Sequence, residues 1–99
     1  DALQPALVKA MNAGIKVLSL DSAVNADSRM VHVNQADPEL IGRVEIQAVA
    51  DMIDGKGQIA ILSATSQATN QNTWIEWMKK ELETIKYSKI SLFFFVEFN

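Results

Sequence analysis

Asp54-Gly55-Lys56-Gly57-Gln58-Ile59-Ala60-Ile61-Leu62-Ser63 joins a turn-forming tetrapeptide to an almost unbroken apolar run. The glycines end whatever helix precedes them, because glycine takes backbone angles closed to other residues. The run from Gln58 to Leu62 is too short for a helix and too apolar for a strand with one wet face. Strands of that composition are usually covered by helices on both faces, the pattern of a parallel sheet.

Helical patterns flank the run. Upstream, Asp37-Pro38-Glu39 opens a helix: aspartate is a good N-cap, proline suits the first helical position and glutamate complements the dipole. Leu40, Val44, Ala48 and Met52 repeat every four residues along its expected buried stripe. Downstream, Ser63 to Gln67 is a small polar loop. A further helix then starts near Thr69 or Asn70, with Trp74, Met78, Leu82 and Ile85 on one side and Glu76, Lys79, Lys80 and Glu83 largely elsewhere. Ile90 to Phe98, rich in phenylalanine, reads as a closing strand.

Towards the N-terminus, Asp1 to Ala13 forms an amphipathic helix with the capping pattern Asp1-x-x-Gln4, a stripe of Leu3, Leu7 and Met11, and Gly14 at its stop. Ile15 to Leu20 is a strand that ends abruptly in Asp21-Ser22. Arg29 to Asn34 is a second strand, with Val31 and Val33 on one face and Met30 and His32 on the other. The order αββαβαβ, with right-handed crossovers, implies an α/β fold with a doubly wound, mainly parallel sheet and flanking helices.

Composition agrees with a folded domain. Of 99 residues 48% are hydrophobic and 21% charged, the balance of a globular chain long enough for one core. The net charge of -3, with nine dispersed basic residues, gives no electrostatic reason to expect nucleic acid or an anionic membrane as partner. With no cysteine, disulfides, thiolate metal sites and a cysteine nucleophile are excluded. The apolar run Leu92 to Val96 is far shorter than the roughly 20 residues of a membrane span. The chain also opens without the basic start and apolar stretch of a signal peptide.

In open α/β sheets ligands bind beyond the carboxyl ends of the strands. Asp21 and Ser22 follow the first strand, Asn34 and Gln35 the second, and Ser63 to Gln71 the third, closing in Asn70-Gln71 near a helix N-terminus. A carboxylate accepts from neighbouring hydroxyls and amides both donate and accept, which suits a sugar better than catalysis. Structural alternatives stand beside these roles: a turn cap for Asp21, an N-cap for Asn70 and Gln71, core for Trp74, and a packed strand residue for His32. No G-x-G-x-x-G, Walker spacing or G-x-S-x-G elbow occurs. The acidic stretch Asp21 to Asp27 fails as a calcium loop, since Ala26 stands where glycine is needed and His32 where glutamate is needed. No metal, cofactor or catalytic residue is expected.

The segments Gly14-Ile15-Lys16-Val17-Leu18-Ser19-Leu20-Asp21-Ser22, Val33-Asn34-Gln35 and Ala68-Thr69-Asn70-Gln71-Asn72-Thr73-Trp74 together resemble the rhamnose-binding and autoinducer-2-binding solute receptors of ABC importers, relatives of ribose-binding protein. The likeness runs from Asp1 to about Tyr87. It implies a type I periplasmic-binding fold of two lobes that close on a ligand. On this scheme residues 1–23 end lobe one, 24–28 are a hinge crossing, and 29–99 begin lobe two, with an atypical tail over 88–99. The resemblance makes Asp21, Asn70 and Gln71 ligand contacts, with Ser22, Asn34 and Gln35 as further candidates. Asn70 stands where the autoinducer-2 receptors carry aspartate, which favours a rhamnose-type sugar.

The resemblance further implies a transporter permease as partner and a periplasmic or lipid-anchored extracellular location. Its departure over Phe93 to Phe98 leads us to expect a truncated fragment, whose open sheet edges invite a homodimer. The effector domain of a LacI-type repressor shares the fold and ligand chemistry and is the alternative; an enzyme of doubly wound fold has only fold analogy behind it.

Overall fold

A computed structural model describes residues 2–97. Its elements follow the expected order: α1 (Gln4–Asn12), β1 (Leu18–Leu20), β2 (Val31–Val33), α2 (Pro38–Met52), β3 (Gly57–Ser63), α3 (Thr69–Leu82) and β4 (Ile90–Glu97), with short 3₁₀ turns at Ala26–Ser28 and Ile85–Tyr87. Contacts divide the chain into two compact units, Asp1–Gln35 and Ala36–Asn99. The strands pair in parallel, β1 with β2 in the first unit and β3 with β4 in the second. The α/β class with parallel strands and flanking helices therefore stands.

In the first unit, α1 begins later than the sequence suggests. Leu3 occupies the cap position without a side-chain cap, Pro5 lies in the first turn, and Asp1 falls outside the described residues. Gly14, at φ 85°, takes the left-handed turn that ends the helix. Both strands shorten to three residues, from the expected 15–20 and 29–34. Register is set by Leu18 opposite Val31, Ser19 opposite His32 and Leu20 opposite Val33. The link between them is folded on itself: Ser28 is fully buried, its hydroxyl donates to the Asn25 carbonyl at 2.8 Å, and Arg29 Nε donates to the Val24 carbonyl at 3.0 Å.

In the second unit, Asp37 caps α2 as read, its carboxylate accepting from the amides of Glu39 at 2.9 Å and Leu40 at 3.3 Å. The buried stripe of α2 needs correction. Leu40, Val44, Ala48 and Met52 lie on the exposed side, Met52 at 81% exposure, whereas Gly42, Ile46 and Ala50 are buried. Both series repeat every four residues. The one without a side chain at Gly42 wins, because there α2 presses against the backbone of α3: a Cβ at Gly42 would overlap the Trp74 carbonyl oxygen and approach Trp77 Cβ to 2.7 Å.

Ile46 and Ala50 meet Tyr87 and Ile90 in a core joined by Ile53, Ile59, Met78 and Leu82. Strand β3 is covered on one face, not on both as expected: Ile61 and Ser63 are buried and Ile59 half-buried, while Gln58, Ala60 and Leu62 are exposed. On α3, Trp74, Met78 and Leu82 are half-buried as the stripe predicts, but Ile85 lies beyond the helix end and is exposed, and the buried positions are Ile75 and Glu81. Strand β4 pairs with β3 over its length, with a register shift that places Leu92 opposite Ile59 and Phe94 opposite Ala60. Phe98, the expected end of that strand, lies outside the described residues.

Glu81 is the centre of a polar network that the sequence reading did not find. Its carboxylate accepts from Arg43 Nη1 at 2.7 Å, Gln47 Nε2 at 3.2 Å and the Tyr87 hydroxyl at 3.0 Å. The hydrogen bond from Arg43 holds the Glu81 carboxyl below the ordinary glutamate range, and Glu81 in turn raises Arg43. Arg43 also bonds Glu39 at 2.9 Å and lies over the Trp77 ring at 5.1 Å from its centre. The network ties the middle of α2 to the end of α3.

Candidate functional site

Because β1 and β2 end together, Leu20 opposite Val33, the residues after them emerge side by side on one rim of the first unit. The Asp21 amide donates to the Val33 carbonyl at 3.0 Å, which extends the pairing by one residue and sets Asp21 beside the start of Asn34. Asp21, Ser22, Asn34 and Gln35 are all exposed there. Asp21 has φ 67°, a left-handed conformation that aspartate tolerates better than most residues and that turns the chain out of the strand. The turn reading and the ligand reading of Asp21 are thus compatible.

His32, set aside in the sequence, belongs to this rim. Its Nδ1 lies 2.8 Å from Ser19 Oγ and its Nε2 lies 2.9 Å from Asn34 Oδ1. The parallel register puts Ser19 opposite His32, and no local sequence pattern reports that register.

In the second unit, β3 ends at Ser63 and α3 starts at Thr69, so Asn70 and Gln71 sit in the first turn of α3. Neither is the N-cap. That position is Ala68, which offers no side-chain cap. Gln71 instead reaches back to the strand: its Oε1 accepts from Ser63 Oγ at 3.0 Å and from the Ala64 amide at 2.8 Å. A backbone N–H can only donate, so the Gln71 amide has one possible orientation, with Nε2 as the group offered to a ligand. Asn70 Oδ1 accepts from the Gln71 amide at 2.8 Å. The loop between is braced by Asn72 Nδ2 on the Ser66 carbonyl at 2.9 Å and by the Gln67 amide on Thr65 Oγ1 at 3.2 Å.

Two recesses of the second unit are lined by residues of β3. One of about 390 Å³ is lined by Ile46, Val49, Ile59, Ile61, Leu62 and Met78, with Glu45 the charged group, whose carboxyl burial pushes up. So apolar a wall does not suit a polyol. The other, of about 220 Å³, brings Gln71 and the half-buried Trp74 together with Glu45, Ile61 and Met78. Trp74 thus serves as partial core and as an apolar wall next to Gln71.

Residues 1–93 match the model of the periplasmic binding protein domain. The chain belongs to that family. Among solved structures, it is 52% identical over 98% of its length to an ABC transporter solute-binding protein from Clostridium phytofermentas with bound L-rhamnose, at a TM-score of 0.94. It is 41% identical over 98% of its length to a sugar ABC transporter protein from Actinomyces odontolyticus, at a TM-score of 0.62. A solute-binding protein from Burkholderia graminis in complex with D-arabinose shares 27% identity over 97% of the chain, at a TM-score of 0.83. The chain spans 30%, 31% and 32% of those three proteins, so this periplasmic binding protein domain is described over about a third of its relatives' length.

Proposed function

We propose that the chain is part of the solute-binding component of an ABC importer and that its ligand is L-rhamnose or a similar small sugar. The observation that carries this reading is the 52% identity over 98% of the chain to a protein with bound L-rhamnose. The role is capture and release, with no bond made or broken in the ligand. The partners are the sugar and a transporter permease, and the place of action is periplasmic or extracellular. The proposed passage between the two lobes is the chain around Gln35 and Ala36, because β1 and β2 pair within the compact unit Asp1–Gln35 and leave Val24 to Ser28, the crossing expected from the sequence, inside that unit.

The contacts proposed are Asp21, Ser22, Asn34 and Gln35 on the first rim and Asn70 and Gln71 on the second. The chemistry of the side chains supports them: a carboxylate that accepts from sugar hydroxyls, and a Gln71 amide whose orientation leaves a donor for a hydroxyl oxygen. Each two-stranded pair leaves an edge of each strand without a strand partner among the described residues, and a homodimer through such edges is a further proposal.

A thermal-shift panel of deoxyhexoses, pentoses and hexoses tests the sugar assignment, since a ligand at about 100 times its Kd stabilises the native state by roughly 2.7 kcal/mol. L-Rhamnose should give the largest shift. A flat response across the panel defeats the sugar reading, and a largest shift from a pentose moves the ligand class.

A further inference from the structure

We infer that His32 is a positioning residue for the first rim: it fixes which end of the Asn34 amide faces the ligand. The inference rests on the reading of Asn34 as a sugar contact.

Asn34 Oδ1 lies 2.9 Å from His32 Nε2; an oxygen there goes with the Nε2–H tautomer of the ring, whereas a turned amide, donating from Nδ2, would go with Nδ1–H. In the Nε2–H form a neutral ring has its lone pair on Nδ1, and the group 2.8 Å from it is the Ser19 hydroxyl, which can donate. The chain of donation runs one way, from Ser19 through His32 to Asn34. It passes from two half-buried side chains on paired strands to an exposed one at the rim. Asn34 ends the chain with its oxygen committed and Nδ2 left to offer.

The consequence is chemical. Asp21, next to Asn34 across the strand ends, presents only acceptors, and Asn34 held this way presents a donor. Two adjacent hydroxyls of a sugar can meet that pair together, one donating to Asp21 and the other accepting from Asn34 Nδ2. Without His32 the amide can turn over and offer its oxygen at the rim where Asp21 already offers acceptors, which leaves no donor for the second hydroxyl. His32 therefore acts on affinity without touching the sugar. Gln71 shows the same device on the second rim, where Ser63 and Ala64 hold its oxygen.

Two measurements test this. Long-range ¹H–¹⁵N correlation spectra of the His32 ring in the sugar-free protein should show the Nε2–H tautomer; the Nδ1–H tautomer overturns the inference. Calorimetric titration with L-rhamnose should place His32→Gln within about threefold of the parent, because a glutamine amide can donate near the Nε2 position, while His32→Leu loses about tenfold or more for want of the donor. Equal affinities for the two variants, or a parental affinity for His32→Leu, overturn it. If His32→Leu does not fold, the tautomer and the His32→Gln titration decide. If the parent protein binds no L-rhamnose, the sugar reading fails, and the tautomer still decides whether His32 orients Asn34.

Discussion

Gly42→Ala puts the contact between α2 and α3 under direct strain. The new Cβ would meet Trp77 Cβ at 2.7 Å and the Met78 amide nitrogen at 3.1 Å, besides overlapping the Trp74 carbonyl oxygen. A comfortable carbon–carbon separation is about 3.5–4.0 Å, so the first contact alone is short by about 1 Å. Two of the three atoms belong to the backbone of α3, so no side-chain rotation relieves the overlap and the helices must part. Overpacking of this kind costs about 1–3 kcal/mol, and a rigid backbone clash belongs at the upper end. Alanine returns about 1 kcal/mol of helix propensity relative to glycine. The expected net loss is about 2 kcal/mol, or a fall in Tm of about 10 °C for a domain of this size. The separation also pulls on the neighbouring Arg43–Glu81 ion pair at 2.7 Å. Both tryptophans of the chain, Trp74 and Trp77, lie on α3, so urea denaturation followed by tryptophan fluorescence reports this unit. A variant more stable than the parent by about 1 kcal/mol would show propensity acting alone and refute the close approach of the helices.

Three further outcomes are expected. Glu81→Gln exchanges a carboxylate with three hydrogen-bond donors for a neutral amide, at a cost of roughly 1–3 kcal/mol by urea denaturation at neutral pH. Because the folded carboxyl titrates below its unfolded value, that stability is present above the ordinary glutamate range of about 4–5 and is lost as the pH falls through the folded value. The parent and the variant should therefore converge in acid, and a constant gap down to low pH contradicts the network. Glu45 has the opposite sign: burial raises its folded value, so its ionised form weakens the fold above that value and the loss is relieved as the pH falls. Glu45→Gln should match or exceed the parent in stability at neutral pH, and a clear loss would show that Glu45 is held by a partner rather than merely desolvated. Asp21→Asn keeps a residue that tolerates φ 67° but removes the charge, so the melting curve without sugar should stay unchanged while L-rhamnose affinity falls about tenfold or more. Unaltered affinity by calorimetry removes Asp21 from the site.

The order of elements was legible because the punctuation is strong: Gly14 after α1, Asp37-Pro38 before α2, and the Asp54 to Gly57 turn before β3. The lengths of β1 and β2 were not, since β-favouring residues continue beyond the three positions that pair. The face of α2 was misread for a physical reason. Two four-residue series share the helix, and hydrophobicity favours Leu40, Val44, Ala48 and Met52, whereas steric access of α3 favours the series that starts at Gly42. Glu81 carries no local sequence signal for its role, because Arg43 and Gln47 come to it from a different helix. At the rims, strand ends identified which residues to consider, because loops after parallel strands carry the polar groups. What the sequence concealed was the direction of the amides. Gln71 is oriented by an amide seven residues back, and Asn34 by a histidine whose own partner is on the paired strand.

The most direct test of the account is a crystal structure of the protein grown with L-rhamnose. The sugar should lie in hydrogen-bond contact with the Asp21 carboxylate and with Nδ2 rather than Oδ1 of Asn34. A bound sugar that leaves Asp21 untouched, or that meets Oδ1 of Asn34, would contradict it.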